Sequence, residues 1–70
     1  MRWQTLAKTI GKNMKKYRRT KGWTQEQAAD KADLSLRYWQ QLEAAEKNMT
    51  LKTLTTIARA LGINIKDVIS

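Results

Sequence analysis

The sequence predicts an all-α domain of five helices, and three observations carry that reading. Apolar residues recur at steps of three and four along most of the chain, a hydroxyl or amide residue stands ahead of nearly every such run, and no strand-like alternation occurs. Proline is absent and the three glycines, Gly11, Gly22 and Gly62, stand far apart, so no linker divides the 70 residues and they read as a single domain, 1–70.

Trp3, Leu6, Ala7, Ile10, Met14 and Tyr17 draw one apolar stripe along a first helix of about residues 4–20, whose other face is lysine and arginine. Gly11 lies in that stripe at a cost of about 1 kcal/mol against alanine, which marks either a close helix contact or nothing. Gly22 ends the helix in a left-handed conformation. Thr24-Gln25-Glu26-Gln27 has the form of a capping box and opens a second helix to about Ala32, with Ala28, Ala29 and Ala32 buried. After a short turn at Asp33 and Leu34, Ser35 caps a third helix to about Ala44, with Trp39 and Leu42 facing inward. A loop over about Ala45 to Met49 leads to Thr50, cap of a fourth helix that carries Leu51, Leu54, Ile57, Ala58 and Leu61 on one face and stops at Gly62. Asn64 caps a last short helix, Ile65 to Ile69.

Charge and composition narrow the function. The chain holds 14 Lys plus Arg against 6 Asp plus Glu, a formal charge of +8. Residues 1–22 contain Arg2, Lys8, Lys12, Lys15, Lys16, Arg18, Arg19 and Lys21 and no acid, so the whole excess sits there and a polyanion is the natural partner. With no His and no Cys there is no imidazole base, thiolate, disulfide or good metal-ligand set, and the carboxylates show no paired spacing, so neither an enzyme nor a cofactor is expected. The absence of a signal sequence and of any long apolar stretch leads us to expect a soluble, cytoplasmic protein with no membrane partner.

Two short capped helices joined by a tight turn, with alanine at the crossing, form a helix-turn-helix over about residues 24–44. At about 100° per residue, Arg37, Gln40, Gln41 and Ala44 fall opposite Trp39 and Leu42 on the third helix. Arginine can pair with guanine O6 and N7, glutamine with adenine N6 and N7, and an apolar side chain such as Leu36 can pack on a thymine methyl, so Leu36, Arg37, Gln40 and Gln41 are the candidate base readers. Ser35 and the helix N-terminus suit a phosphate.

The run Thr24-Gln25-Glu26-Gln27-Ala28-Ala29, then Leu34-Ser35, Trp39, Leu42-Glu43 and Asn48-Met49-Thr50-Leu51-Lys52-Thr53-Leu54, closely resembles the phage-repressor and Cro type of helix-turn-helix regulator, the xenobiotic-response-element family. The resemblance covers about Ile10 to Ile69 and implies a five-helix, lambda-repressor-like DNA-binding domain; within the family, compact restriction-modification controller proteins and stand-alone regulators of similar length look most like this chain. It implies that Gln25 meets a phosphate and braces the recognition helix, that Ser35, Leu36, Arg37 and Gln41 are the base and phosphate readers, that Arg18 and Glu43 form a buried pair, and that Lys47 and Asn48 meet the DNA backbone. Three positions depart from the family. Asp33 stands at the usual turn glycine and tolerates its left-handed conformation with some strain; Ala45 replaces a glycine, which predicts a differently shaped loop or an extra helical turn; Met49 replaces a frequent proline.

Ile63, Ile65, Val68 and Ile69 either finish the core of one copy or join two copies, with Trp3 and Leu6 as the other candidates for that contact; two joined copies would set two recognition helices about 34 Å apart on a near-palindromic operator. The expected function is therefore sequence-specific regulation of transcription on double-stranded DNA as a homodimer. The alternative is an antitoxin or other protein-interaction module on the same fold; RNA polymerase and a toxin are the further partners these two readings bring in.

Overall fold

The computed structural model describes residues 2–70, as five helices and no strand among them: α1 (Trp3–Thr20), α2 (Gln25–Ala32), α3 (Leu36–Glu43), α4 (Leu51–Leu61) and α5 (Ile65–Ile69). The caps are the ones that the hydroxyls announce. Thr24 Oγ1 accepts from the Gln27 N–H at 3.1 Å while the Gln27 side chain accepts from the Thr24 N–H at 2.8 Å, closing the capping box of α2. Ser35 and Thr50 each accept from the backbone N–H three residues on, both at 3.1 Å, and start α3 and α4. Asp67 closes the start of α5 by accepting from the Asn64 N–H at 3.2 Å.

Four helix ends share one geometry. Gly22, Asp33, Ala45 and Gly62 all have left-handed backbones, with φ of 72°, 56°, 59° and 70°. In each case the left-handed residue and its successor donate to carbonyls of the last turn: Gly22 and Trp23 to Arg19 and Arg18, Asp33 and Leu34 to Asp30 and Ala29, Ala45 and Glu46 to Leu42 and Gln41, Gly62 and Ile63 to Arg59 and Ala58. This is the Schellman arrangement, which satisfies carbonyls that a helix end would otherwise leave open. At three ends the successor is apolar and packs on the core (Trp23, Leu34, Ile63); after α3 it is the exposed Glu46. The loop after α3 thus keeps the glycine-type corner in spite of Ala45. Neither a reshaped loop nor an extra turn forms, because the two hydrogen bonds hold the alanine in a conformation it disfavours by roughly 1–2 kcal/mol.

The core joins Ile10 and Met14 of α1, the three alanines of α2, Trp39 and Leu42 of α3, Ile57, Ala58 and Leu61 of α4, and Val68 of α5. Trp39 is its largest fully enclosed side chain. Small side chains on α2 leave room for that indole, since helix axes approach only as closely as the residues between them allow. One expected placement changes and one open choice is decided. Leu51 does not join the packed face of α4 but stands 73% exposed in its first turn, and Val68, a candidate for either the core or a surface between two copies, is 0% exposed. Asn13 Nδ2 of α1 donates to the Val68 carbonyl at 2.7 Å and ties α5 to α1, while the Val68 side chain packs into the apolar core.

Candidate nucleic-acid interface

The third helix is held from behind by one carboxylate. Glu43, its last residue, accepts from Arg18 Nε at 2.7 Å and from Arg18 Nη2 at 3.1 Å, a two-pronged pair whose side chains are 10% and 3% exposed. Arg18 Nη1 donates in addition to the Trp23 carbonyl at 2.9 Å. The Trp39 indole N–H donates to Glu43 Oε2, and Gln25 Nε2 donates to Oε1 at 3.2 Å. Burial by itself pushes the Glu43 carboxyl up, but the hydrogen bonds from Arg18, Trp39 and Gln25, with the nearby guanidinium charge, outweigh it and hold the group below its ordinary range. A single acid therefore ties α1, α2 and α3 together. The expected pair of Arg18 and Glu43 is present. The Trp39 donor is an addition to that pair, although its position four residues before Glu43 on one helix face is a usable signal.

Gly11 completes the mounting. A Cβ built on it would lie 2.4 Å from the Glu43 carbonyl oxygen and 2.9 Å from that of Leu42, so α1 passes against the backbone of the last turn of α3. The glycine marks a close contact.

With its back fixed, α3 turns Leu36, Arg37, Gln40 and Ala44 to solvent, while Gln41 is half-buried. Leu36 is 37% exposed, which leaves its side chain open to an apolar contact. Gln40 Nε2 donates to Gln25 Oε1 at 3.3 Å, so the two glutamines form a chain from the buried carboxylate to the outer face of α3. The Ser35 hydroxyl oxygen accepts from the Tyr38 N–H, and its own proton stays available for an acceptor beyond the helix N-terminus. Tyr38 packs on the core, with its hydroxyl 3.5 Å from Thr53 Oγ1.

Lys47 and Asn48 lie apart from Gln25, Ser35 and Arg37. They are exposed in the loop after α3, where Asn48 Oδ1 accepts from the Met49 N–H at 2.9 Å, and both border a groove of about 200 Å³ lined by Trp3, Leu6, Ile10 and Leu54. Of the residues expected between two copies, Ile63 and Ile65 are half-buried against the core and Ile69 is 38% exposed. Trp3, at 43%, is the exposed apolar residue of α1.

The pattern that defines the helix-turn-helix family matches residues 14–68, which takes in α2, α3, α4 and most of α5. Over 65 residues the chain is 34% identical to an uncharacterized HTH-type transcriptional regulator of Sinorhizobium fredii, covering 93% of this chain and 84% of that protein. It is 38% identical over 61 residues to the immunity repressor protein of Bacillus phage phi105, covering 87% of this chain but 42% of the repressor's length. The crystal structure of the restriction-modification controller protein C.AhdI from Aeromonas hydrophila superposes with a TM-score of 0.84 at 26% identity, over 89% of this chain and 94% of that one. A matched family pattern, regulators among its relatives and a braced, outward-facing third helix agree: the chain belongs to the helix-turn-helix family of Cro and C1-type transcriptional regulators.

Proposed function

We propose that this chain regulates transcription by reading a near-palindromic operator in double-stranded DNA, as a homodimer with α3 of each copy in the major groove. The observation that carries this reading is the outer face of α3. Leu36, Arg37 and Gln40 are exposed and Gln41 is half-exposed on a helix whose opposite side is locked to two others through Glu43. A reading helix needs that rigidity, because a bidentate contact to a base edge discriminates only when the side chain starts from a fixed backbone. Arg37 suits a guanine, Gln41 and Gln40 an adenine, and Leu36 a thymine methyl. Gln25, Ser35, Lys47 and Asn48 take phosphates and set the register.

Ile69 at the end of α5, edged by Ile63 and Ile65, is the surface for the second copy; Val68 supports it from inside. Covering a promoter then represses it, and a site beside a promoter brings the bound protein against RNA polymerase. The setting is the cytoplasmic nucleoid; no helix among the described residues is long and apolar enough to cross a membrane.

Selection of binding sites from random duplex DNA, followed by affinity measurement with wild type and an Arg37→Ala, Gln41→Ala double variant, tests this. A symmetric motif should emerge, and the double variant should lose about 2–6 kcal/mol on it while keeping weak, salt-sensitive binding to random duplex. Absence of any motif refutes sequence-specific reading. Light scattering that finds only a monomer at high micromolar concentration, with and without the selected site, refutes the dimer.

A further inference from the structure

We propose that the outer face of α1 is a second phosphate-holding surface, which grips the backbone of the same duplex beyond the groove read by α3. Lys8, Lys12, Lys15, Lys16 and Arg19 are all exposed, and helical geometry puts them within an arc of about 100° on the side opposite the buried Ile10 and Met14. From Lys8 to Arg19 the row runs about 16 Å, comparable to the length of duplex axis that about five phosphates of one strand rise through. The helix carries no acid, and among the described residues the one ion pair is that of the buried Arg18 with Glu43, so these five charges have no internal partner within ion-pair distance. A row of cations on a rigid rod repels itself unless an anion of matching length lies along it.

Position selects the occupant. The face begins beside Gly11, where α1 touches the last turn of α3, and Lys8, Lys12 and Lys15 lie within four residues of that contact. The loop with Lys47 and Asn48 leaves α3 from the same end but lies against the Trp3, Leu6 and Ile10 side of α1, so it is not part of the row. Lys8, Lys12 and Lys15 thus flank the end of the recognition helix, the side from which the row would meet the backbone of a duplex seated on α3, while Lys12, Lys15, Lys16 and Arg19 border Ser70 at the end of α5. An anionic lipid surface fits less well. It would need an apolar face to insert, and the apolar stripe of α1 is largely spent on the core, with Ala7, Ile10 and Met14 no more than 6% exposed and Trp3 left as its one exposed residue.

This inference rests on the DNA-reading assignment of α3, and its test separates the two. The full chain is titrated with two duplexes that carry the selected site, one ending at the site and one extended by about a helical turn on each side, at several salt concentrations. The partner variant combines Lys8→Gln, Lys12→Gln, Lys15→Gln, Lys16→Gln and Arg19→Gln. Wild type should bind the extended duplex about tenfold or more tightly at low salt and with a steeper salt dependence. The variant should bind both alike, select the same motif, and show a slope shallower by about 0.9 for each phosphate it no longer neutralises. Wild-type indifference to flank length, or a variant that keeps the gain, overturns the proposal; the wild-type comparison stands even if the variant folds poorly. Capture of a separate, siteless duplex by protein saturated with the short site, or binding to phosphatidylserine vesicles that the variant loses, reassigns the face and also overturns it. If no site is selected, the reading of α3 fails, while the salt slopes of wild type and variant on random duplex still decide whether α1 holds phosphates.

Discussion

Replacing Gly11 by alanine puts helix propensity and tertiary contact in opposition, and the sign of the result separates them. Alanine is favoured over glycine in a helix interior by about 1 kcal/mol, so propensity alone predicts a gain. The structure predicts a loss. The added Cβ would meet the Glu43 carbonyl oxygen at 2.4 Å, that of Leu42 at 2.9 Å and the Glu43 carbonyl carbon at 3.0 Å, all backbone atoms that cannot swing aside as a side-chain tip would. Reaching ordinary contact requires the end of α3 to move away from α1 by about 1 Å, and overpacking of this kind costs roughly 1–3 kcal/mol. Glu43 is also the residue that Arg18 holds at 2.7 Å, so the shift loosens the brace it is part of. With the propensity gain subtracted and the loosened brace added, the net expectation is a loss of up to about 2 kcal/mol, or a melting temperature lower by up to roughly 16 °C in a domain of this size. Thermal and urea denaturation of Gly11→Ala beside the exposed control Lys12→Ala measures it. If Gly11→Ala is as stable as wild type or more so, the close packing of α1 on α3 is refuted.

Three further outcomes follow from the same contacts. Ala45→Gly should stabilise the domain by about 0.5–1 kcal/mol in urea denaturation, because relief of a left-handed alanine exceeds the entropy glycine adds to the unfolded chain; a destabilised variant would contradict the strain. Glu43→Gln leaves Arg18 buried without its counter-charge and should cost about 3 kcal/mol at neutral pH, a large part of the stability of a 70-residue domain. Because the Glu43 carboxyl is held below its unfolded value, its contribution is complete above the unfolded pKa of about 4.3 and is lost as the pH falls through the lower folded value, so the gap between wild type and Glu43→Gln should shrink in denaturation series carried down towards pH 2.5.

Much of this molecule is legible from short-range pattern, for a physical reason. The caps of Thr24, Ser35 and Thr50 and the left-handed stops at Gly22 and Gly62 act within four residues of themselves, so spacing reveals them without knowledge of the rest of the fold. The pair of Arg18 and Glu43 is reached only through family resemblance, since nothing local says that residues 25 apart will meet. Leu51 and Val68 show where periodicity runs out. Both sit on apolar stripes, yet one lies on the exposed first turn of α4 while the other packs into the core beside the Asn13 bond to its carbonyl, and neither fact resides in its own helix.

The sequence by itself determined five helices, their ends, the concentration of charge in the first 22 residues and which side chains α3 could offer to a base. Tertiary structure decided how that helix is mounted. It brought α1 against the backbone of α3 at Gly11, gathered Arg18, Gln25 and Trp39 on Glu43, held Ala45 in a glycine's conformation, and turned the row of lysines on α1 outward beside the end of the reading helix. Local hydrogen bonds and side-chain periods span a few residues and can be read along the chain; the approach of two helices depends on the packing of all their neighbours at once, and only the folded molecule contains it.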